Sequence, residues 1–217
     1  DQPRSRGLGD VYKRQPLYVN EKSMLHTNVA TAEMIKYASN AFLALKISYI
    51  NEVANLCEEV GADVHQVAKA MGQDGRISPK FLHPGPGFGG SCFPKDIHAF
   101  ATLSNNKGLP MKTIEAAISA NDYQKIRMTE KMKSLMGGDF TGKQIAVLGL
   151  AFKPNTDDIR DSTGIELIRK LIKMKAKITV HDPKAIKNTK KTFGEKVKYV
   201  KTITDALSKS QCVIIMT

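Results

Sequence analysis

The chain has 217 residues, of which 41% are hydrophobic and 25% charged, a composition that excludes wholesale disorder and suits one or two folded domains. No apolar run reaches the roughly 18 residues of a membrane span, which argues against a membrane protein. The 33 Lys and Arg residues outnumber the 21 Asp and Glu residues, and the net charge of +12 favours an anionic ligand. Because the sequence has no Trp and no nucleic-acid-reading motif, we expect a small phosphorylated ligand rather than a nucleic acid.

Cysteine and histidine usage bears on the compartment and on metal chemistry. The three cysteines are scattered and odd in number, and no apolar secretory leader is present, which together predict a reducing cytoplasm. His83 and His98 flank a glycine-rich stretch, but no Cys, His, Asp or Glu spacing resembles a zinc site. We therefore expect a cytoplasmic protein without a bound metal.

The first 30 residues precede the first strong structural signal. Residues 1–15 combine basic residues with Gly and Pro and lack apolar periodicity, so we interpret them as a non-native or disordered tail. Residues 16–30 are interpreted as a linker.

A long helix is predicted from Thr31 to Val60, capped by Thr27 or Asn28 and closed by Gly61. Its apolar residues recur at steps of three and four, the period of a buried helical stripe. A helix of this length extends for about 45 Å and usually packs against more than its own domain. We therefore expect a subunit or domain interface along the stripe, which comprises Met34, Ile35, Ala38, Phe42, Leu45, Tyr49, Val53 and Leu56.

The rest of the chain divides into two regions at a pair of glycines, Gly137-Gly138. Before them the periodicity predicts an all-helical domain, residues 31–136, with further helices at Asp63–Met71, Ile97–Asn106 and Met111–Met136. After them strands and helices alternate, which predicts a Rossmann-like, doubly wound parallel sheet of the α/β class over residues 139–217. Because the sequence stops directly after an apolar strand, we expect this second domain to be truncated. Its predicted elements are strand Gln144–Leu150, helix Gly164–Met174, strand Lys177–Val180, helix Thr204–Ser208 and strand Cys212–Met216.

The densest chemical signal is the stretch FLHPGPGFGGSCFPKD, Phe81 to Asp96. Gly85, Gly87 and Gly90 match the G-x-G-x-x-G spacing of dinucleotide sites, but two interspersed prolines break the strand that such a site requires. We therefore reject a dinucleotide fingerprint here. The glycines instead suit a loop whose backbone approaches a ligand closely.

Cys92 follows these glycines and stands three residues before Lys95. Backbone N–H groups and a nearby cation favour the thiolate, which makes Cys92 a candidate nucleophile. A buried cysteine in a tight turn is the alternative, and for Cys57 and Cys212 that structural role is the expectation. Asp96 could begin a helix or orient a water molecule, and its position in the sequence does not distinguish these two roles.

Two further pairs carry polar chemistry. Lys36 and Asn40 stand four residues apart on the long helix, where they could donate hydrogen bonds to an oxyanion or form a solvated face. Lys153 and Arg160 lie in the loop after the first strand, where open α/β sheets bind ligands, although two solvated basic side chains would fit as well.

Three motifs in order resemble the nucleotide-sugar 6-dehydrogenases, the UDP-glucose/GDP-mannose dehydrogenase family. They are KYASN at Lys36–Asn40, GFGGSCFPKD at Gly87–Asp96 and LGLAFKPNTDDIRDS at Leu148–Ser162, and the resemblance extends over residues 16–217. Members have an N-terminal NAD-binding domain, a central helical domain whose long helix forms the dimer core, and a C-terminal domain for the sugar nucleotide. The chain resembles the last two, so we expect a partial copy, inactive alone, whose residues 16–30 link to the NAD-binding domain.

The resemblance implies a reaction and a set of roles. The family oxidises the C6 alcohol of a nucleotide sugar to a carboxylate with NAD as cofactor, and Cys92 would form a thiohemiacetal and then a thioester. Lys36 and Asn40 would stabilise the oxyanion, and Asp96 would hold or activate water. Substrate contacts would come from Phe81, His83, Gly87, Phe88, Gly89, Gly90 and Lys153, from Arg76 toward the partner subunit's substrate, and NAD contacts from Lys95 and Arg160.

The substrate implied is UDP-glucose, because Ser91 and the run Phe93–Asp96 favour it over GDP-mannose and UDP-N-acetylmannosamine. The resemblance also implies a homodimer through the long helix. A non-enzyme alternative stays open, in which the chain is a helical dimerisation module with a nucleotide-binding domain and Cys92 is structural.

Overall fold

The computed structural model describes residues 25–217, so the predicted tail and most of the predicted linker lie outside the described residues. The chain divides after Lys36 into two units. Within the first unit, the N–H of Thr31 donates to Oδ1 of Asn28 at 2.8 Å. Asn28 therefore caps the first described helix, α1, which runs over Val29–Val60.

The helical region continues with α2 (Val64–Gly72), α3 (Phe93–Asn106) and α4 (Lys112–Met136). Local sequence signals set these limits. Asp63 caps α2 by accepting the N–H of His65 at 2.8 Å, and Gly137 ends α4 in the left-handed region at φ 72°. Helix α3 begins four residues before the predicted Ile97, because Pro94 is tolerated in the first turn of a helix.

The face of α1 that is buried within the chain differs from the predicted stripe. Ala41, Ala44 and Ser48 on this face are at most 1% exposed. Ala41 and Ala44 pack in the helical core with Ile97, Phe100 and Ile114. The subunit or domain interface expected along the stripe stays a prediction, since the stripe is not the face that the chain buries against itself. Its large members are exposed on the chain: Phe42 by 62%, Tyr49 by 51% and Leu56 by 63%.

Within the described residues, a four-stranded parallel sheet follows in the order β3-β2-β1-β4. The strands are β1 (Gln144–Leu148), β2 (Lys177–His181), β3 (Lys198–Tyr199) and β4 (Cys212–Ile215). Helix α5 (Thr163–Lys173) connects β1 to β2, and its Leu167, Ile168 and Leu171 pack on the sheet core. The sequence analysis missed α6 (Ile186–Phe193), the 3-10 turn Gly194–Lys196 and β3, while α7 (Ile203–Leu207) lies where a short helix is predicted.

The observed architecture confirms the predicted fold class, a helical domain followed by a Rossmann-like parallel sheet with helices. None of the described helices has a stretch that is long and apolar enough to cross a bilayer.

Candidate functional site

We define residues 81–92 as the glycine loop. A lysine that sequence reasoning missed holds the segment that leads into this loop. Lys46 on α1 donates from Nζ to three backbone carbonyls, those of Ile77, Ser78 and Lys80, at 2.8, 3.2 and 2.6 Å. One ammonium group thus holds three carbonyls of the chain that leads into the loop. No local sequence signal marks Lys46, because its partners are more than thirty residues away.

Side-chain amides from two helices hold the middle of the glycine loop. The N–H of Gly85 donates to Oδ1 of Asn51 and its carbonyl accepts from Nε2 of Gln124, both at 2.8 Å. The N–H of Phe88 donates to Oδ1 of Asn121 at 2.8 Å, and its carbonyl accepts from Nδ2 of the same residue at 3.2 Å. These three amides were also missed in the sequence.

The last glycines of the loop lie against the loop that follows β1. A Cβ at Gly89 would overlap the carbonyl oxygen of Asp161, and one at Gly90 would overlap the ring of Phe152. The N–H of Gly90 donates to the carbonyl of Arg160 at 3.0 Å. The structure therefore brings two of the quoted motifs together, and glycine is required because a side chain would push the two loops apart.

Cys92 lies at the N-cap position of α3 and is exposed. Its carbonyl accepts the N–H of Asp96 at 2.9 Å, and its Sγ lies 3.8 Å from Oγ of Ser91. A thiol at the start of a helix faces the positive end of the helix dipole, the setting in which cysteines act as nucleophiles. Cys57, by contrast, is buried, and burial raises the pKa of the half-buried Cys212 thiol.

Asp96 connects the loop motif to the long helix. Its carboxylate is 3% exposed, accepts Nδ2 of Asn40 at 2.5 Å and pairs with Nζ of Lys95 at 2.8 Å. The hydrogen bond that Lys95 donates to Asp96 raises the pKa of Lys95. Asn40, Lys95 and Asp96, predicted from separate motifs, therefore form one cluster. Lys36 lies on α1 in the first unit and is exposed.

A cavity of about 270 Å³ gathers four of the predicted substrate residues, Phe81, His83, Gly87 and Phe88, with Ile47, Asn51 and Gly85. Phe88 is 6% exposed and belongs to the helical core, so it contributes to the wall as a packed residue. Phe93 links the aromatic groups, since its ring centroid lies 6.1 Å from that of Phe81 and 5.9 Å from that of Phe88. An aromatic wall with backbone polar groups suits a small ligand that is partly apolar.

The remaining predicted residues do not line this cavity. Lys153 lines a separate crevice of about 430 Å³ at the carboxyl ends of the strands, and its Nζ lies 5.3 Å from the centroid of the Phe152 ring. The ring of Phe152 lies against Gly90, so the neighbouring residue Lys153 is close to the glycine loop in the chain.

Two predicted arginines are each held by a carboxylate two residues earlier. Arg160 donates from Nε and Nη2 to Asp158, and Arg76 makes the same fork with Asp74; the shortest distance in both pairs is 2.6 Å. The carboxylate hydrogen bonds raise the pKa of both arginines. Within residues 25–217, Nη1 of each guanidinium makes no hydrogen bond.

An aspartate of the chain occupies two backbone N–H groups at the turn after β1. Asp182, at the end of β2, accepts the N–H of Leu150 at 2.8 Å and that of Ala151 at 3.4 Å through Oδ2. Its Oδ1 accepts the N–H groups of Lys184 and Ala185, both at 2.7 Å. In a dinucleotide site the N–H groups after the first strand bind the pyrophosphate. The sheet therefore does not fit NAD at this turn.

The described residues combine a helical domain, with the exposed Cys92 thiol at a helix start, and a parallel α/β sheet of the doubly wound class. Two family models match: the UDP-glucose/GDP-mannose dehydrogenase family, central domain, over residues 30–123, and the UDP binding domain of the same family over residues 146–217. The chain belongs to the UDP-glucose/GDP-mannose dehydrogenase family.

Individual relatives agree with this assignment. The chain is 48% identical over 184 residues to the UDP-glucose 6-dehydrogenase of Rhizobium meliloti (strain 1021), covering 85% of the chain and 42% of that protein. It is 46% identical over 194 residues to the UDP-glucose 6-dehydrogenase TuaD of Bacillus subtilis (strain 168), covering 89% and 42%. The chain spans less than half the length of these relatives.

Solved structures give the same fold. A UDP-glucose dehydrogenase from the hyperthermophilic archaeon Pyrobaculum islandicum superposes with a TM-score of 0.86 at 39% identity, covering 95% of the chain and 48% of that chain. A UDP-D-ManNAc dehydrogenase from Pyrococcus horikoshii has a TM-score of 0.72 at 24% identity, covering 96% and 47%, and shows the fold alone.

Proposed function

We propose that the chain is part of an NAD-dependent UDP-glucose 6-dehydrogenase, which oxidises UDP-glucose to UDP-glucuronate. The observation that carries the proposal is the delivery of the exposed Cys92 thiol at the start of α3, one helical turn before a buried Asp96 that holds Asn40 and Lys95. UDP-glucose is preferred over UDP-N-acetylmannosamine because the relatives named for UDP-glucose are 39–48% identical and the P. horikoshii enzyme 24%.

The reaction needs a nucleophile and a means to stabilise charge at C6. After the alcohol loses a hydride and a proton to give the aldehyde, the Cys92 thiolate adds to the carbonyl carbon and forms a thiohemiacetal. Loss of a second hydride gives a thioester, and water then releases the carboxylate and restores the thiol. Asn40 would donate to the oxygen at C6, and Lys36 would have the oxyanion-stabilising role that its motif implies.

Asp96 is proposed to fix the orientation of Asn40 and of the hydrolytic water. Its 2.5 Å hydrogen bond from Asn40 and its burial support a positioning role, since a buried carboxylate that is bonded to Asn40 and Lys95 has little freedom to move. Phe81, His83 and the glycines from Gly87 to Gly90 are proposed to contact the sugar nucleotide around the aromatic cavity. Lys153 would reach its diphosphate, and Arg76 the substrate of a partner subunit.

NAD, when bound, supplies the hydride acceptor for both oxidations. The turn after β1 does not fit NAD, because Asp182 occupies its N–H groups. Arg160 fits a single contact to the diphosphate, since its Nη1 group is not used by Asp158 and the carbonyl of Arg160 holds Gly90 beside Cys92. Lys95 fits less well, because Asp96 engages its ammonium group. We propose that the cofactor is bound mainly by another domain of the whole protein.

We further propose a homodimer through α1. Phe42, Tyr49 and Leu56 recur at seven-residue steps along one face, and all three are more than half exposed on the chain. A second copy of the same helix would cover this apolar stripe. The three unpaired cysteines support a reducing cytoplasm as the compartment.

Titration calorimetry of residues 16–217 with UDP-glucose, together with NADH absorbance, tests the proposal. We expect weak UDP-glucose binding and no reduction of NAD by this chain alone. Absence of binding at millimolar UDP-glucose would contradict the substrate assignment. Steady NADH formation would contradict the proposal that another domain binds the cofactor.

Alkylation distinguishes the proposed enzyme from the non-enzyme alternative, in which Cys92 is structural. We expect iodoacetamide to label Cys92 much faster than Cys57 and Cys212, and UDP-glucose to slow the labelling of Cys92 alone. Equal rates at Cys92 and Cys212 would favour the structural role.

A further inference from the structure

The glycine loop needs an external restraint, because its own sequence does not fix a conformation. Gly87 and Gly90 have φ values of 102° and 90°, which residues with a Cβ rarely adopt. Glycine backbone loses more conformational entropy on ordering than any other residue. When a ligand binds such a loop, the entropic cost of ordering the loop weakens the binding, unless other groups have already ordered the loop.

Asn121 supplies a restraint of an unusual kind. It bonds both the N–H and the carbonyl of Phe88, as a neighbouring β-strand would do, and it is 4% exposed. The amide orientation is unambiguous, since a flipped amide would set donor against donor and acceptor against acceptor. One side chain on α4 thereby fixes the peptide groups on both sides of Phe88.

A second pair of amides repeats the arrangement at Gly85. Asn51 accepts its N–H and Gln124 donates to its carbonyl, while Nδ2 of Asn55 donates to Oε1 of Gln124 at 2.9 Å and fixes that amide in turn. Between the two restrained residues lies Gly87, which lines the aromatic cavity. Among residues 25–217 no hydrogen-bond acceptor meets its N–H, so this donor is left for a ligand.

We propose that Asn121, supported by Asn51 and Gln124, is a positioning residue for substrate binding: it holds Phe88 so that the loop presents Gly87 and Cys92 to the ligand in a fixed geometry. This inference rests on the proposed function. In this role Asn121 does not contact the substrate. Loss of the Asn121 side chain therefore weakens ligand binding only by releasing the loop.

The test compares UDP-glucose affinity of the 217-residue chain with that of three variants. Asn121→Leu removes both hydrogen bonds, and we expect at least a tenfold loss of affinity. Ser48→Ala is the matched control, because Oγ of Ser48 donates to the carbonyl of Ala117 at 2.9 Å and also joins α1 to α4, without touching the loop. We expect this variant to lose a similar amount of thermal stability and less than twofold in affinity.

Asn121→Asp gives a readout that a purely structural role would not produce. A protonated carboxyl group can donate to the Phe88 carbonyl and accept its N–H, whereas the ionised group cannot donate. Repulsion from the carbonyl and burial favour the protonated form. We expect the affinity of this variant to recover as the pH falls from 8 to 5, relative to the unsubstituted chain and to Asn121→Leu.

The outcomes separate the inference from the function on which it rests. If the unsubstituted chain does not bind UDP-glucose, the proposed function fails and the inference falls with it. If the unsubstituted chain binds and Asn121→Leu binds equally well, or Ser48→Ala loses as much affinity, the positioning role is wrong while the function stands. A pH-independent affinity of Asn121→Asp would likewise overturn the role.

Discussion

Gly90 lies so close to Phe152 that a methyl group on its Cα would overlap the aromatic ring. The contact joins the loop that carries the candidate nucleophile to the first loop of the parallel sheet. Because both partners are fixed by neighbouring hydrogen bonds, neither loop can yield without disturbing the other.

Replacing Gly90 by alanine should therefore separate the two loops. The new methyl group meets Phe152, and φ of 90° is unfavourable for any residue with a Cβ. We expect a loss of about 2 kcal/mol or more in the free energy of unfolding, measured by urea denaturation. Gly142→Ala is the control, since Gly142 has φ of 71° and open space around it. Equal losses in the two variants would show that backbone conformation, not the Phe152 contact, determines the effect.

Cys92→Ser should abolish formation of the carboxylate in the whole protein, because a serine hydroxyl has no ready anionic form. UDP-glucose affinity should change by less than threefold, since the thiol is one small group at the edge of the site. Product analysis with saturating UDP-glucose and NAD checks this. Activity above about a tenth of the parental rate, a cost under ~1.4 kcal/mol, would rule out covalent catalysis through Cys92.

Phe42→Asp tests the proposed dimer. Phe42 is 62% exposed on the chain, so an aspartate there should not unfold the helical domain by itself, but it would place two charges in a self-complementary interface. We expect sedimentation velocity to show a shift from dimer to monomer. Leu109→Asp, at a residue 72% exposed outside α1, should leave the assembly unchanged. A folded dimer that survives Phe42→Asp would place the interface elsewhere.

Asp182 should make the stability of the sheet domain sensitive to acid. Burial alone would raise the pKa of this carboxyl group, but hydrogen bonds from four backbone N–H groups outweigh it and lower the pKa below the ordinary 3.8. The stabilisation is therefore fully present above about pH 4 and lost as the pH falls through the lowered value. Asp182→Ala should cost about 2 kcal/mol at neutral pH, measured by urea denaturation. In Asp182→Asn the stability should lose part of its dependence on pH below 4, and an unchanged acid limb would contradict the assignment.

Sequence periodicity predicted the helices and strands well where caps and glycines mark their ends. It did not show which face of α1 is buried within the chain, because a stripe of large apolar residues does not reveal whether the same chain or a second subunit covers it. The face buried within the chain is built of Ala41, Ala44 and Ser48, whose small side chains let neighbouring helices approach closely. Helix α6 was missed because a short lysine-rich segment has little apolar periodicity.

The candidate site was predicted only in part, for a related reason. Motifs gave Asn40, Cys92 and Asp96, and the structure brings Asn40 and Asp96 into contact across 56 positions of sequence. Lys46 and Asn121 were missed, since their partners lie about 31 and 33 positions away and single polar residues on a helix carry no periodic signal. Long-range hydrogen bonds to backbone groups depend on the fold, which a single sequence does not display.

Asp182, at the end of β2, gives the turn after β1 an anion that belongs to the chain itself. Backbone N–H groups at such a turn attract anions, and here a carboxylate of the same chain satisfies two of them. The loop that follows, with Phe152 and Lys153, is therefore anchored at its first residues without any bound ligand. Lys153 is thus carried into the lining of the crevice by a loop that is already ordered.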